Sequence, residues 1–326
     1  MSSLSSSTVA MTPLLKEYEK HANLWFGQSA IIGGVPTVTL DVPISAVFLS
    51  LYLAGAILHI SIFTTNRRRG HKFFMTWLLN VFCIIRVVTC SMRIAWATTP
   101  KNPSLAIAAQ IFNNAGIIIV YIVNLIFSQR IFRAKKPQLG WNKALELAFN
   151  AIYCLIVGTL IMGITVLVIS INTTNVRTLQ SIRDVTLASA TFILVVAILP
   201  FIIVMVAYLK PTPCSQESFG TGSMAAKSLV VLSSTCLAII IAGFKAGTSW
   251  QPARLASDPA WYHSKPAFYC FNFVLEVIIL AIFLLSRVDK RLHVPDHCKG
   301  PGDYSRLGPD KTEEGDKDRD YYRRKG

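Results

Sequence analysis

Residues 185–209 read VTLASATFILVVAILPFIIVMVAYL, a run of 25 residues without Asp, Glu, Lys or Arg. A helix needs about 20 predominantly apolar residues to cross the hydrocarbon core of a bilayer. Backbone polar groups find no water there, so a stretch of this kind must be a helix that satisfies its own hydrogen bonds. Residues 185–209 are therefore predicted to form a transmembrane helix.

Six further stretches of similar length and apolarity lie on either side of this one. They cover residues 44–64, 73–97, 105–128, 146–171, 226–248 and 266–286. Short loops separate the seven stretches, so sequence neighbours are expected to pack antiparallel in one bundle. We predict an all-α polytopic membrane protein: an N-terminal segment over residues 1–43, a seven-helix bundle over 44–292, and a disordered charged tail over 293–326.

Basic residues indicate the orientation of the bundle. The net charge is +15, and 22 of the 32 Lys and Arg lie on the side that carries the C-terminal tail and the loops after the first, third and fifth stretches. The positive-inside rule then places the N-terminus outside and the C-terminus in the cytosol. Because the basic residues flank apolar stretches, they indicate contact with membrane lipids or a cytosolic partner at the inner loops, and not nucleic acid. We assign the protein to the plasma membrane by default.

Charged residues inside the apolar stretches are the strongest functional leads, because a charge in hydrocarbon is costly. Arg86 and Arg93 lie seven residues apart on one face of the second stretch, together with Asn80. Lipid would not tolerate this face, so it is predicted to point into the bundle or a wet cavity. Arg93 is near the outer end and can snorkel, whereas Arg86 needs a partner. Glu276 is the one acidic residue deep in a predicted span, so we predict an Arg86–Glu276 pair between the second and seventh helices.

Two interpretations of this polar core stay open: a structural staple that fixes helix register, and a ligand or ion site. Asn272 lies one turn from Glu276 and is expected to extend the network. The third stretch adds polar residues on one broad helical face, which either join helices by hydrogen bonds or line a central cavity. These residues are Gln110, Asn113, Asn114, Tyr121 and Asn124.

Several other kinds of site are not expected. Only one His, His59, lies inside a predicted span, and no set of residues has the spacing of a metal site, a cofactor site or a catalytic triad, so we do not expect an enzyme.

Lys245 lies near the outer end of the sixth stretch and is expected to point outward. Asn172, in the sequence Asn-Thr-Thr on the predicted outer side, matches a glycosylation sequon close to the membrane.

The C-terminal part of the chain carries a resemblance to known families. Residues 265–273 read KPAFYCFNF, Glu276 follows, and residues 287–295 read RVDKRLHVP. This region is similar to fungal seven-span integral membrane proteins of uncharacterised function. It is more loosely similar to the RTA-type lipid-translocating exporters, in which an aromatic segment opens the last span. The resemblance implies a membrane location and no particular chemistry.

The seven-span layout also resembles that of receptors, although their local signatures do not match. The third stretch ends Ser128-Gln129-Arg130, and the seventh reads Asn272-Phe273-Val274-Leu275-Glu276. The favoured function is a receptor- or sensor-like protein that binds a small amphipathic ligand in a polar bundle core. The alternative is a lipid or small-molecule translocator or exporter. We expect a receptor cavity to face outward and end within the bundle, and a translocator groove to open to lipid or reach both leaflets.

Overall fold

A computed structural model of the protein describes residues 30–68, 73–173, 175–209, 217–294, 298 and 300–306. Every regular element within those ranges is a helix, and seven of the helices are long and apolar enough to cross a membrane. These are α1 Val38–Arg68, α2 Phe74–Thr98, α3 Pro103–Lys135, α4 Lys143–Asn172, α5 Val176–Leu209, α6 Met224–Trp250 and α7 Lys265–Leu285. The predicted all-α, seven-helix membrane class is confirmed.

Most helices are longer than their apolar stretches, because a helix continues into polar turns that hydropathy does not mark. α1 is the clearest case: it begins at Val38 and not at residue 44, so the predicted N-terminal segment 1–43 overlaps the helix. The carboxylate of Asp41 accepts the backbone N–H of Thr37 at 2.8 Å and so satisfies a free donor at the helix start. Residues 1–29 lie outside the described ranges.

Polar caps explain where three of the helices begin. Asn102 precedes Pro103 at the start of α3, and its side chain accepts backbone N–H groups of the first turn. Asn142 and Ser223 do the same for α4 and α6. Side-chain oxygens at this position replace the hydrogen bonds that the first turn of a helix lacks, and proline suits the first helical position. These caps fix the loops at which the chain reverses direction.

The bundle has two ends, which we name by the start of α1. The N-terminal end carries the start of α1 and the loops α2–α3, α4–α5 and α6–α7, and the C-terminal end carries the other loops and the tail. α3 lies centrally and packs against α2, α4, α5 and α6, whereas α1 packs chiefly against α2. α4 is peripheral: among its residues of described burial, only Phe149 and Ile156 are buried hydrophobic residues, and both lie toward the C-terminal end.

α7 contains a π-helical turn over Cys270–Val274. Turns of this kind interrupt the regular hydrogen-bond ladder and occur frequently at functional sites. The hydroxyl of Tyr52, on α1, lies 3.2 Å from the carbonyl oxygen of Phe273 and can donate to it. The irregular turn is thereby supported from a neighbouring helix and lies directly before Glu276.

Residues 300–306, which lie within the tail predicted to be disordered, pack against the bundle. Tyr304 is buried between the rings of Trp141 and Phe219, with ring centroids 5.6 and 5.5 Å away. The carboxylate of Glu217 accepts the backbone N–H groups of Gly302 and Tyr304 at 2.7 and 3.0 Å. The buried ring of Tyr304 and the two backbone N–H groups bound by Glu217 hold residues 300–306 in place. The amino-acid composition of the tail does not reveal such local contacts. Residues 307–326 lie outside the described ranges.

Basic side chains at the C-terminal end bind carbonyl groups at helix ends. Arg130 donates to Leu292 at 2.6 Å, Arg133 to Gly140 at 3.1 Å, and Lys136 to Val206 at 2.9 Å. Cations are favourable there because the last carbonyls of a helix lack partners and carry partial negative charge. Part of the basic surface that the sequence assigns to a cytosolic partner is therefore engaged within the fold.

Candidate functional site

Arg86 and Glu276 form a fully buried ion pair between α2 and α7, as predicted. Both side chains are 0% exposed. The hydroxyl of Tyr52 lies 3.2 Å from the second carboxylate oxygen of Glu276, and a second guanidinium nitrogen of Arg86 donates to the backbone carbonyl of Asn113 at 3.0 Å. Groups from α1, α2, α3 and α7 thus meet at one point, and each charge has a partner of opposite sign, as a buried charge requires.

The guanidinium of Arg86 fits because α3 has a glycine opposite it. A Cβ atom added at Gly116 would lie 3.0 Å from the central guanidinium carbon of Arg86 and 3.1 Å from Nε. The rings of Phe82 and Phe273 flank the same group, at 5.6 and 5.7 Å from their centroids. Arg86 is therefore enclosed on several sides, and α3 can approach α2 closely only at a residue without a side chain.

A second buried cluster lies one heptad further along α2. Arg93 pairs with Asp41 at 2.8 Å, and Lys265 also pairs with Asp41. The hydroxyl of Tyr269 lies 2.8 Å from the same carboxylate. Arg93 lies on the inward face that the seven-residue spacing from Arg86 predicts, and its side chain is 4% exposed. It pairs within the bundle and does not snorkel, and Asp41 is the partner that the sequence analysis did not identify.

A cavity of about 680 Å³ occupies the N-terminal end of the bundle. Its walls come from α3, α4, α5, α6 and the start of α7, with residues 30–32 and 251–254 at its rim. Along α3 it runs from Gln110 to Tyr121, which is roughly 16 Å at 1.5 Å per residue. Its deepest lining residues are Tyr121, Ile193 and Ala242, so the cavity ends inside the bundle.

The cavity combines apolar walls with a few polar groups. α4 and α5 contribute mainly aliphatic side chains, whereas α3 contributes Gln110, Asn113, Asn114 and Tyr121. Three cationic residues line it: Arg183 on α5, Lys245 on α6, and Arg254 in the following loop. None of the described lining residues is Asp or Glu. This is the composition of a site for an amphipathic molecule, in which apolar area supplies affinity and a few polar groups set orientation.

Two buried polar groups of the cavity wall lack hydrogen-bond partners. They are the side-chain oxygen of Asn113, a residue that is 8% exposed, and the hydroxyl of Tyr121, which is 1% exposed. Buried polar atoms in folded proteins nearly always have partners, so these two atoms, which lie just beneath the cavity surface, are exceptions to the usual pattern.

Lys245 faces the cavity and not the surface, contrary to the sequence expectation. Its ammonium lies 3.4 Å from the carbonyl oxygen of Asn113 and 3.3 Å from the side-chain oxygen of Asn114. The Asn113 carbonyl also accepts from Arg86, so the cavity cation and the buried ion pair share one acceptor. Lys245 itself forms no ion pair with any carboxylate of the described residues.

The remaining predicted residues fall into two groups. Asn272 lines the cavity, but its amide donates to the Phe268 carbonyl of its own helix at 3.0 Å and does not extend the ion pair. Asn80 and Asn124 are buried but are not among the lining residues; Asn124 accepts from Ser234 at 2.9 Å and so joins α3 to α6. Arg86 and Glu276 also lie outside the lining.

Two further predictions concern the glycosylation sequon and metals. Asn172 is the last residue of α4, but its side chain and Thr174 lie outside the described residues. Within the described part of the chain there is no group of three or more His, Cys, Asp or Glu side chains placed to hold a metal ion.

Comparison with known proteins identifies one related stretch. Residues 222–293 match a family model described as a protein of unknown function, DUF3112. The match covers α6, α7 and the loop between them, and therefore includes Lys245 and Glu276. No curated protein and no solved structure matches the chain.

The ion pair makes a prediction for stability. Arg86→Met or Glu276→Gln alone should destabilise the protein strongly, by about 3–5 kcal/mol, because each leaves an uncompensated buried charge. The double variant should lose less than the two single losses together. Thermal unfolding in detergent measures all three, with Asp258→Asn as the control because it breaks only the exposed Arg254–Asp258 pair. Additive losses in the double variant would contradict direct pairing.

The close approach of α3 to Arg86 makes a second prediction. Gly116→Ala should lower stability by about 1–3 kcal/mol, because the added methyl group meets the guanidinium at overpacking distance. Gly158→Ala is the matched control, since a Cβ there meets nothing within 4 Å. Unfolding temperatures of the two variants in the same detergent check this, and equal temperatures would show that Arg86 moves aside without cost.

Proposed function

We propose that this chain is a receptor- or sensor-type membrane protein that binds a small amphipathic ligand and does no catalysis. The observation that carries the proposal is the cavity that enters from the N-terminal end and ends at Tyr121, Ile193 and Ala242. Its volume of about 680 Å³ lies within the range of roughly 300–1,000 Å³ usual for small-molecule sites.

The location of the cavity favours a ligand from the outer side. The distribution of Lys and Arg assigns the N-terminal end to the outside and the C-terminal end to the cytosol. In that orientation the cavity is open to the side from which an external signal arrives. The basic loops and the packed tail residues 300–306 lie at the other end, where a cytosolic partner would bind.

A path from the cavity to the packed bundle runs through Asn113. Its carbonyl accepts from Lys245, which lines the cavity, and from Arg86, which is paired with Glu276. A ligand that draws Lys245 away would change the hydrogen bonding of Arg86, and with it the junction of α2 and α7. Ligand binding would then favour one arrangement of this junction over another, as the shift of a two-state equilibrium requires.

A lipid or small-molecule translocator is the second candidate, and the packing of α4 favours it. In α4 no described residue beyond Ile156 is buried, and in α5 none before Val196 is buried. The cavity is therefore bordered by two helices with little support from the core, which would suit lateral entry of a lipid. The loose similarity of residues 265–295 to RTA-type exporters accords with this second proposal. Protein-dependent movement of a fluorescent lipid analogue across reconstituted vesicles would favour it, whereas saturable binding without movement would favour the receptor.

Occupation of the cavity is tested with two glycines of α4. Gly163 lines the cavity and Gly158 does not, and a Cβ atom at either position meets nothing within 4 Å. Gly163→Leu should project into the cavity, obstruct the path between α4 and α5, and weaken amphiphile binding about tenfold or more without loss of stability, since leucine is also the better helix former. Gly158→Leu should bind as the wild type does.

Native mass spectrometry with single-chain lipids measures the effect, and unfolding temperatures confirm that both variants are folded. Equal binding by Gly163→Leu and Gly158→Leu would place the ligand elsewhere and contradict the proposal.

A further inference from the structure

We infer that the ligand is an acidic single-chain amphiphile whose anionic head binds Lys245 and whose chain lies between α4 and α5. This inference rests on the proposed function and names the chemical class of its ligand.

The sign of the ligand charge follows from the cavity cations. Arg254 pairs with Asp258 at 3.2 Å, and Arg183 is exposed beside Asp184 in the sequence. Lys245 differs from Arg254 because it has no carboxylate partner among the described residues, and from Arg183 because it is only partly exposed. An ammonium group held in such a place is costly unless an anion compensates it. The cavity supplies no such anion, so the ligand is expected to bring one.

The geometry around Lys245 leaves room for an anionic head. An ammonium group has three N–H donors, and two face the oxygens of Asn113 and Asn114 at 3.4 and 3.3 Å, which are long hydrogen bonds. The third donor is available to a ligand oxygen. A carboxylate or phosphate oxygen would satisfy this donor and supply the missing negative charge.

The apolar part of the ligand is expected to run along α4 and α5. Their cavity-facing residues recur at helical spacing and are almost all aliphatic or small; they include Leu160, Ile164, Leu167, Ile182, Val185 and Ile193. Between Asn114 and Tyr121, its deepest lining residue on α3, the cavity extends along seven residues of the helix, which is roughly 10 Å. The gap at Gly163 widens the cavity along this path. One aliphatic chain, folded within the cavity, fits this shape.

The test compares lipids that share one chain and differ in the head: palmitate, palmitoyl lysophosphatidic acid, palmityl alcohol and palmityl amine. Their binding to the full-length protein in detergent is measured by native mass spectrometry. Wild-type protein should prefer at least one of the two acids to the alcohol and the amine by about tenfold or more, the value of a charged hydrogen bond in a buried site. Preference for palmitate or for lysophosphatidic acid then distinguishes a carboxylate from a phosphate head.

Variants at Lys245 connect the preference to the proposed contact. Lys245→Met should bind the acids no better than the alcohol, and Lys245→Arg should keep the preference. Lys101→Met removes an exposed cation from the α2–α3 loop at the same end and should behave as the wild type does. If Lys245→Met does not fold, Lys245→Gln and the wild-type head-group comparison still decide the question.

The outcomes separate this inference from the proposed function. Two results overturn the inference: equal binding of acid and alcohol by the wild type, and an acid preference that survives Lys245→Met. The proposed function still stands in either case if Gly163→Leu binds amphiphiles more weakly than the wild type does. Failure of all four lipids to bind also overturns the inference, whereas amphiphile binding that Gly163→Leu leaves as strong as in Gly158→Leu overturns the proposed function itself.

Discussion

The constraint on which the structure depends is that charges inside a bilayer must be paired. Arg86 on α2 and Glu276 on α7 meet this requirement together, and the groups that complete their hydrogen bonding come from two other helices. Four helices therefore have their register fixed at one buried point. The glycine at position 116 and the π-helical turn before Glu276 are local consequences, because each makes room for or supports this junction.

The same junction divides the bundle into two halves with different packing. Toward the C-terminal end the helices are closely packed, and the tail residues 300–306 lie against them. Toward the N-terminal end the α1, α2 and α7 side keeps the buried cluster around Arg93 and Asp41. On the opposite side, the described residues of α4 after Ile156 and of α5 before Val196 are not buried, and a cavity takes the place of a core. Lys245, which lines the cavity, and Arg86, which belongs to the buried ion pair, both donate to the Asn113 carbonyl. A ligand in the cavity can therefore act on the buried ion pair through this shared acceptor.

Hydropathy predicted the seven helices, and the rarity of acids in the apolar stretches predicted the partner of Arg86. Other features depend on information that the sequence carries only weakly. Asp41 was missed as the partner of Arg93 because α1 begins with a polar turn that its own carboxylate stabilises. The direction of Lys245 depends on how α6 packs against α3, and position along a helix does not determine it. The cavity arises from loose packing of α4, which composition does not reveal.

The central claim is that an amphiphile occupies the space between α3, α4 and α5, and photoaffinity labelling tests it most directly. Palmitate with a diazirine in its chain would be irradiated with the purified protein and the labelled peptides sequenced, with and without excess palmitate. The account predicts competed labelling on cavity-lining residues such as Ile118, Ile164 and Ile193. Labelling confined to exposed residues of α1 such as Val47 and Ile57, or labelling that excess palmitate does not reduce, would contradict it.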